Sequence, residues 1–156
     1  MKFFRSALIV SLALLFAGMS SAQTIEVTIA QGLNAAIDFA NQGNADTLML
    51  VDGGDVGFYE LEPPTIESPM TIMAKPGLAS PPVIRAAAST DQNDFIRVKE
   101  DLTVIGVVID GQAGDGTYAK FKYMFKINNP PADNPPNLEP KLTVLDCHLK
   151  NVYKTG

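Results

Sequence analysis

The chain has 156 residues, of which 46% are apolar and 19% are charged, and its formal net charge is −5 at pH 7. The apolar share is too high for a disordered chain, and the negative charge argues against a protein that binds nucleic acid, which needs a basic surface. The single cysteine, Cys147, excludes a disulfide framework and a zinc site built from several cysteines.

Residues 1–22 have the pattern of a secretory signal peptide. Lys2 and Arg5 precede an apolar run over residues 7–17, and small residues lead to a cleavage site after Ala22. The run is shorter than the roughly 20 residues that a helix needs to cross a bilayer. We therefore expect a secreted protein, located in the periplasm, outside the cell or at the cell surface, with no membrane span after the signal is removed.

Residues 31–43 predict a short helix. Apolar side chains recur at helical spacing from Leu33 to Ala40, and Gly43 stands where a C-terminal cap belongs. Because this amphipathic helix precedes the strands, we expect it to cover the open end of their core.

The rest of the chain predicts short strands. Each candidate is rich in apolar or β-branched residues, is bounded by Gly, Pro, Asn or Asp, and has the prolines outside it. The predicted strands cover residues 47–51, 70–74, 83–86, 95–98, 102–110, 123–127 and 142–150.

Three of these strands share a pattern of apolar residue, threonine, β-branched residue and apolar residue, which begins at Met70, Leu102 and Leu142. Such a unit has no closed core, so stacking of successive units along one axis would bury a continuous interior, as in solenoids. Alternation along the strand places Leu102 and Val104 inside and Thr103 outside. The rival architecture is a β-sandwich, which predicts antiparallel hairpins with tight turns.

The order of the first elements carries a resemblance to a known family. The predicted helix lies between a strand at residues 24–30 and an apolar strand that ends in Asp52-Gly53-Gly54. Residues Val104 to Gly111 repeat the apolar pattern before an Asp-Gly pair. This order resembles the entry to secreted right-handed parallel β-helix proteins of the pectate-lyase-like superfamily. The chain is most similar to the chondroitinase B and alginate lyase group and to related β-helix domains of bacteria.

The resemblance implies the fold of the chain, the residues that the fold covers and the activity of the parent protein. It implies an all-β, right-handed parallel β-helix over residues 23–156, with a capping helix at about 31–43 and stacked strands at about 47–156. It also implies a longer parent protein, so we expect an N-terminal fragment that is incomplete at its C-terminus. Catalytic and metal-binding residues would then lie on later turns, and none is assigned to this chain.

For the parent protein, the resemblance implies a polysaccharide lyase that binds acidic polysaccharide and cleaves it by β-elimination, with Ca²⁺ as a cofactor. The fragment alone is expected to be inactive and to hold no cofactor. The alternative is a non-catalytic β-helix protein that binds glycan or serves at the cell surface. A pectate-type lyase or a glycoside hydrolase on the same scaffold is a third reading, because one fold hosts many chemistries.

Three basic residues are the candidates for contact with an acidic glycan. Arg85, Arg97 and Lys126 each stand between apolar neighbours in a predicted strand, so we expect their side chains to face solvent. In stacked strands they would form an outward ladder with a spacing of about 4.8 Å. The alternative is that they are solvated residues that discourage association at strand edges.

Two further patterns are given a structural interpretation. Residues 52–55 and 110–116 alternate acids with glycine but lack the order of a calcium-binding EF-hand loop, so both are predicted to be turns. Cys147 lies between Asp146 and His148, and alternation places it on the opposite face from both. We therefore expect it to pack as a small apolar residue and not to act as a nucleophile.

Overall fold

The computed structural model describes residues 22–87, 94–127 and 139–151. Apart from one short helix, the described chain is all-β, and every ladder between its strands is parallel. The antiparallel sandwich is therefore wrong. Antiparallel pairing within these ranges is limited to an isolated bridge between Gln112 and Tyr118. The predicted signal peptide lies outside the described residues, except for Ala22.

The described elements follow the chain as one helix, α1, among strands β1 to β12. Their bounds are β1 Thr24–Val27, α1 Leu33–Asn41, β2 Thr47–Leu50, β3 Tyr59–Leu61, β4 Thr65–Ile66, β5 Met70–Ala74, β6 Val83–Ala86, β7 Asp94–Val98, β8 Leu102–Ile105, β9 Val108–Asp110, β10 Tyr123–Ile127, β11 Leu142–Leu145 and β12 His148–Lys150.

The strands form three parallel sheets, which the chain visits in turn. Sheet A has the order β1-β2-β5-β8-β11, sheet B the order β12-β9-β6-β3, and sheet C the order β10-β7-β4. Neighbours in each sheet are thus strands from successive passes of the chain. Side chains at matching positions consequently line up in columns that run across the strands.

The register in sheet A confirms the predicted phase of the repeats. Leu102 and Val104 are buried, whereas Thr103 between them is partly exposed. Thr103 pairs with Thr71 on one side and with Thr143 on the other, although the segments that join these strands differ in length. Loop insertions therefore leave the strand register intact.

The apolar core is one cluster to which the three sheets and α1 contribute. Buried positions of sheet B, such as Ile84 and Ile109, join those of sheets A and C in one cluster. The helix turns Leu33, Ile37 and their buried neighbours toward this core and contacts β2 and β3. The helix begins two residues later and ends two residues earlier than the predicted range of 31–43.

Two of the predicted strands are each divided by a corner. Residues 102–110 form β8 and β9, and residues 142–150 form β11 and β12. Gly106 has φ 70° and Asp146 has φ 51°, and this left-handed backbone turns the chain from sheet A to sheet B. Cys147, which follows the second corner, packs against the core as predicted.

Candidate functional site

Two of the three predicted glycan-contact residues lie side by side in sheet C. Arg97 on β7 and Lys126 on β10 are register partners, and their side chains are 45% and 44% exposed. Arg97 donates from Nε and Nη2 to Oδ2 of Asp94 at 3.2 and 2.7 Å, and Lys126 Nζ lies 3.6 Å from the same oxygen. The Asp94 side chain is only 4% exposed. Two cations therefore share one buried carboxylate, which leaves an excess of positive charge at the surface.

Strand alternation explains why Arg97 faces outward. Ile96 and Val98 on either side of it are buried in the core cluster, so Arg97 must lie on the opposite face. Thr65 on β4 precedes Arg97 in the same column, and Lys126 on β10 follows it. Parallel pairing thus places the two cations about 4.8 Å apart along the sheet.

Exposed basic and aromatic side chains continue at the start of β10. Lys122 Nζ lies 5.1 Å from the centroid of the Tyr123 ring, and both residues are exposed. An aromatic ring adds apolar contact area and an attractive face for cations. We refer to Arg97, Lys122 and Lys126 together as the sheet C basic surface.

Arg85 does not join this surface, which corrects the predicted ladder of three. It lies on β6 in sheet B, between Glu60 on β3 and Asp110 on β9. Its guanidinium carbon is 4.8 Å from the centroid of the Phe58 ring, and its Nε is 3.5 Å from Oδ2 of Asp110. Lys150 on β12 continues the column, so the charges along sheet B alternate in sign.

Asp110 is the buried centre of the sheet B column, with a side chain that is 1% exposed. Its Oδ1 accepts hydrogen bonds from Asn151 Nδ2 at 2.7 Å and from the Gln112 backbone at 3.0 Å, and Lys150 Nζ lies 3.3 Å from its Oδ2. Burial raises the pKa of Asp110, but the hydrogen bonds from Asn151 and Gln112, together with Lys150, outweigh it and hold the pKa below its usual value. Glu60 and Asp110 therefore balance the two cations of this column.

The acidic stretches with glycine form turns, as predicted. At residues 110–116, Oδ1 of Asp115 accepts hydrogen bonds from the Thr117 hydroxyl at 2.6 Å and the Thr117 backbone at 2.9 Å, and these bonds lower the pKa of Asp115. At the earlier stretch, Asp52 accepts a hydrogen bond of 2.7 Å from the backbone of Ile29. Over the described ranges, no group of three or more His, Cys, Asp and Glu residues is placed to hold a metal ion.

The thiol of Cys147 is turned toward backbone carbonyls and not toward a base. Its Sγ lies 3.2 Å from the carbonyl oxygen of Leu145 and 3.5 Å from that of Val104. His148 is exposed on β12, where its register partner is Val108. This arrangement agrees with a packing role for Cys147.

Comparisons of the chain with protein-family models, with curated proteins and with solved structures find no match. The described part of the chain contains no helix that is long and apolar enough to span a membrane. Function is therefore inferred from the charges and geometry of the three sheets.

Proposed function

We propose that the chain is part of a secreted, right-handed parallel β-helix protein of the pectate-lyase-like type, and that it binds acidic polysaccharide through the sheet C basic surface. Three parallel sheets that the chain visits in turn support the architecture, because a solenoid requires this stacking. The position of α1, with its apolar side on the core beside β2 and β3, supports its role as a cap.

The observation that carries the proposed binding is the shared carboxylate of Arg97 and Lys126. Asp94 holds the Nε and Nη2 edge of the guanidinium, which fixes its orientation. Arginine has five N–H donors, so donors remain for a carboxylate or sulfate group of a glycan. Lys126, at 3.6 Å from the same carboxylate, supplies a second positive charge one strand away.

Charge balance favours sheet C over sheet B as the polyanion surface. In the sheet B column, Glu60 and Asp110 offset Arg85 and Lys150. In sheet C, Arg97 and Lys126 share an ion pair with Asp94 alone. The whole chain carries a net charge of −5, which opposes the approach of a polyanion. Binding should therefore be local, modest in affinity and sensitive to salt.

For the complete protein we favour a polysaccharide lyase. Such an enzyme removes the proton beside a uronate carboxylate while a cation neutralises that carboxylate. The proposal places these catalytic groups on later turns and gives Arg97 and Lys126 a role in substrate binding alone. Non-catalytic glycan binding is the second candidate, because both cations are ion-paired to Asp94 and so suit binding without proton transfer.

The test is binding of the exported chain, residues 23–156, to alginate and to chondroitin sulfate, measured by affinity electrophoresis. We expect the double variant Arg97→Gln/Lys126→Gln to lose about tenfold in affinity, since each exposed charge contact contributes about 0.5–1 kcal/mol. Ultraviolet absorbance in the same samples should show no unsaturated uronate, because the proposal places the catalytic residues on later turns, and robust turnover would contradict that placement.

The matched control replaces cations that are equally exposed but paired elsewhere. Lys75 and Lys99 form ion pairs of 2.8 and 2.9 Å with exposed glutamates and are 43% and 45% exposed. The variant Lys75→Gln/Lys99→Gln removes the same net charge and should keep near wild-type affinity. Equal losses in the two double variants would mean that binding reflects net charge alone and not the sheet C basic surface.

A further inference from the structure

A cleft of about 710 Å³ lies between the start of α1 and the outer side of β3. Its walls include Ile29, Asn34, Phe58, Glu60 and Glu62, none of which belongs to the sheet C basic surface. The volume falls within the range of roughly 300–1,000 Å³ that is typical of small-molecule sites.

Hydrogen bonds and close packing hold the walls of the cleft in place. The Asn34 side chain donates to the carbonyl of Glu62 at 2.9 Å and accepts from the amide of Glu62 at 3.0 Å, which ties α1 to the segment after β3. A Cβ on Gly57 would lie 3.2 Å from Cδ1 of Ile29, so these two residues pack closely at the wall of the cleft. These contacts thus link α1 to the β3 side of the cleft.

The charged groups of the cleft are both acidic. Glu60 and Glu62 are two positions apart, so they share one side of the β3 segment, and both are exposed. The ion pairs found within the described ranges do not include either of them. Arg85 is the register partner of Glu60 and lies over the Phe58 ring, but its ion pair is with Asp110 at 3.5 Å, so the Glu60 carboxylate itself makes no ion pair.

We propose that this cleft binds a small organic amine. The ammonium group would lie between the carboxylates of Glu60 and Glu62, which would accept its hydrogen bonds. The apolar part of the ligand would lie against Ile29 and Phe58. The cleft thus selects a cation with an apolar body, whereas the sheet C basic surface selects a polyanion, so the two sites can be tested independently.

The test is titration of the exported chain with benzylamine and with its neutral counterpart benzyl alcohol, followed by amide chemical shifts. We expect saturable shifts around residues 57–62 with benzylamine and binding about fivefold weaker with benzyl alcohol, because the alcohol lacks the charge contact. Equal binding of the two probes, or no saturable shift with benzylamine, would overturn the proposal.

Variants assign the effect to the two carboxylates. Glu60→Gln and Glu62→Gln each replace an exposed side chain by one of similar shape and should each weaken benzylamine binding. Glu67→Gln, whose carboxylate pairs with Lys99 at 2.9 Å, removes a charge outside the cleft and should leave binding unchanged. The same loss in the Glu67 variant would mean that the amine responds to general negative charge, and the proposal would fail.

Discussion

Lys126 stands directly beside Arg97 in the register of sheet C, and both side chains reach Oδ2 of Asp94. The two contacts differ, at 2.7 Å for Arg97 and 3.6 Å for Lys126. Arg97 therefore supplies the hydrogen bonds that the buried carboxylate needs, whereas Lys126 adds mainly charge. Stability and glycan binding should depend differently on the two cations.

The first prediction separates these two roles. Arg97→Gln should lower the free energy of unfolding by about 1 kcal/mol, because a buried carboxylate loses charge-assisted hydrogen bonds that are partly screened by solvent. Lys126→Gln should lower it by less than about 0.5 kcal/mol. Urea unfolding of the two variants measures the difference, and equal losses would show that Lys126 is a structural partner of Asp94 as well.

The second prediction concerns the acid stability that Asp110 provides. Its folded-state pKa is lowered, so it binds its proton less readily in the folded chain than in the unfolded chain. The resulting stability is fully present above the unfolded pKa, near 4, and is lost as the pH falls through the folded pKa. Asp110→Asn should therefore flatten the dependence of the urea midpoint on pH below about pH 4. A variant with the wild-type slope would contradict this assignment.

The third prediction concerns the hydroxyl of Tyr59, which links the backbone of Val27 to the backbone of Asp52. Tyr59 is 1% exposed, and its hydroxyl donates to the carbonyl of Val27 at 2.9 Å and accepts from the amide of Asp52 at 3.0 Å. Tyr59→Phe leaves both backbone groups without this partner and should cost about 1–3 kcal/mol of unfolding free energy. Tyr123→Phe, at an exposed tyrosine, is the control and should change stability little. Similar effects in both variants would mean that the hydroxyl of Tyr59 is not required.

The fourth prediction uses the two equivalent corners between sheets A and B. Asp146 has φ 51° where the preceding pass has Gly106 with φ 70°. Left-handed backbone costs a non-glycine residue about 1 kcal/mol, so Asp146→Gly should raise the unfolding free energy by up to that amount. Gly106→Ala should lower it, since the new Cβ would also meet Ala74 Cβ at 3.3 Å. Thermal denaturation checks both, and a destabilised Asp146→Gly would show that this aspartate has a further role.

The sequence predicts strand bounds well where one pattern of apolar residues extends along the whole strand. The bounds 70–74, 83–86 and 123–127 agree with β5, β6 and β10. The sequence pattern does not predict the corner in residues 102–110, where the buried positions Val104 and Val107 are three apart and break the alternation of two.

Very short strands and contacts between strands were less predictable. The strands β3 and β4 span three and two residues, which is too short for a periodic signal. Arg85 and Arg97 have the same apolar-basic-apolar neighbours in sequence. The pattern therefore does not indicate which arginine lies in sheet B and which lies in sheet C. The role of Asp94 depends on the register between β7 and β10, and that register follows from the fold and not from local pattern.

Strands from successive passes stack in parallel register, and a cysteine cross-link tests this stacking most directly. Thr71 and Thr103 are register partners in sheet A, so Cys at both positions, with Cys147→Ser, would have Cα atoms within the reach of a disulfide. Thr71→Cys with Thr143→Cys is the control, because those positions are two strands apart. We predict a rapid intramolecular disulfide in the first pair and none in the second. Failure of the first pair to link, or equal linking in both, would contradict the stacked arrangement.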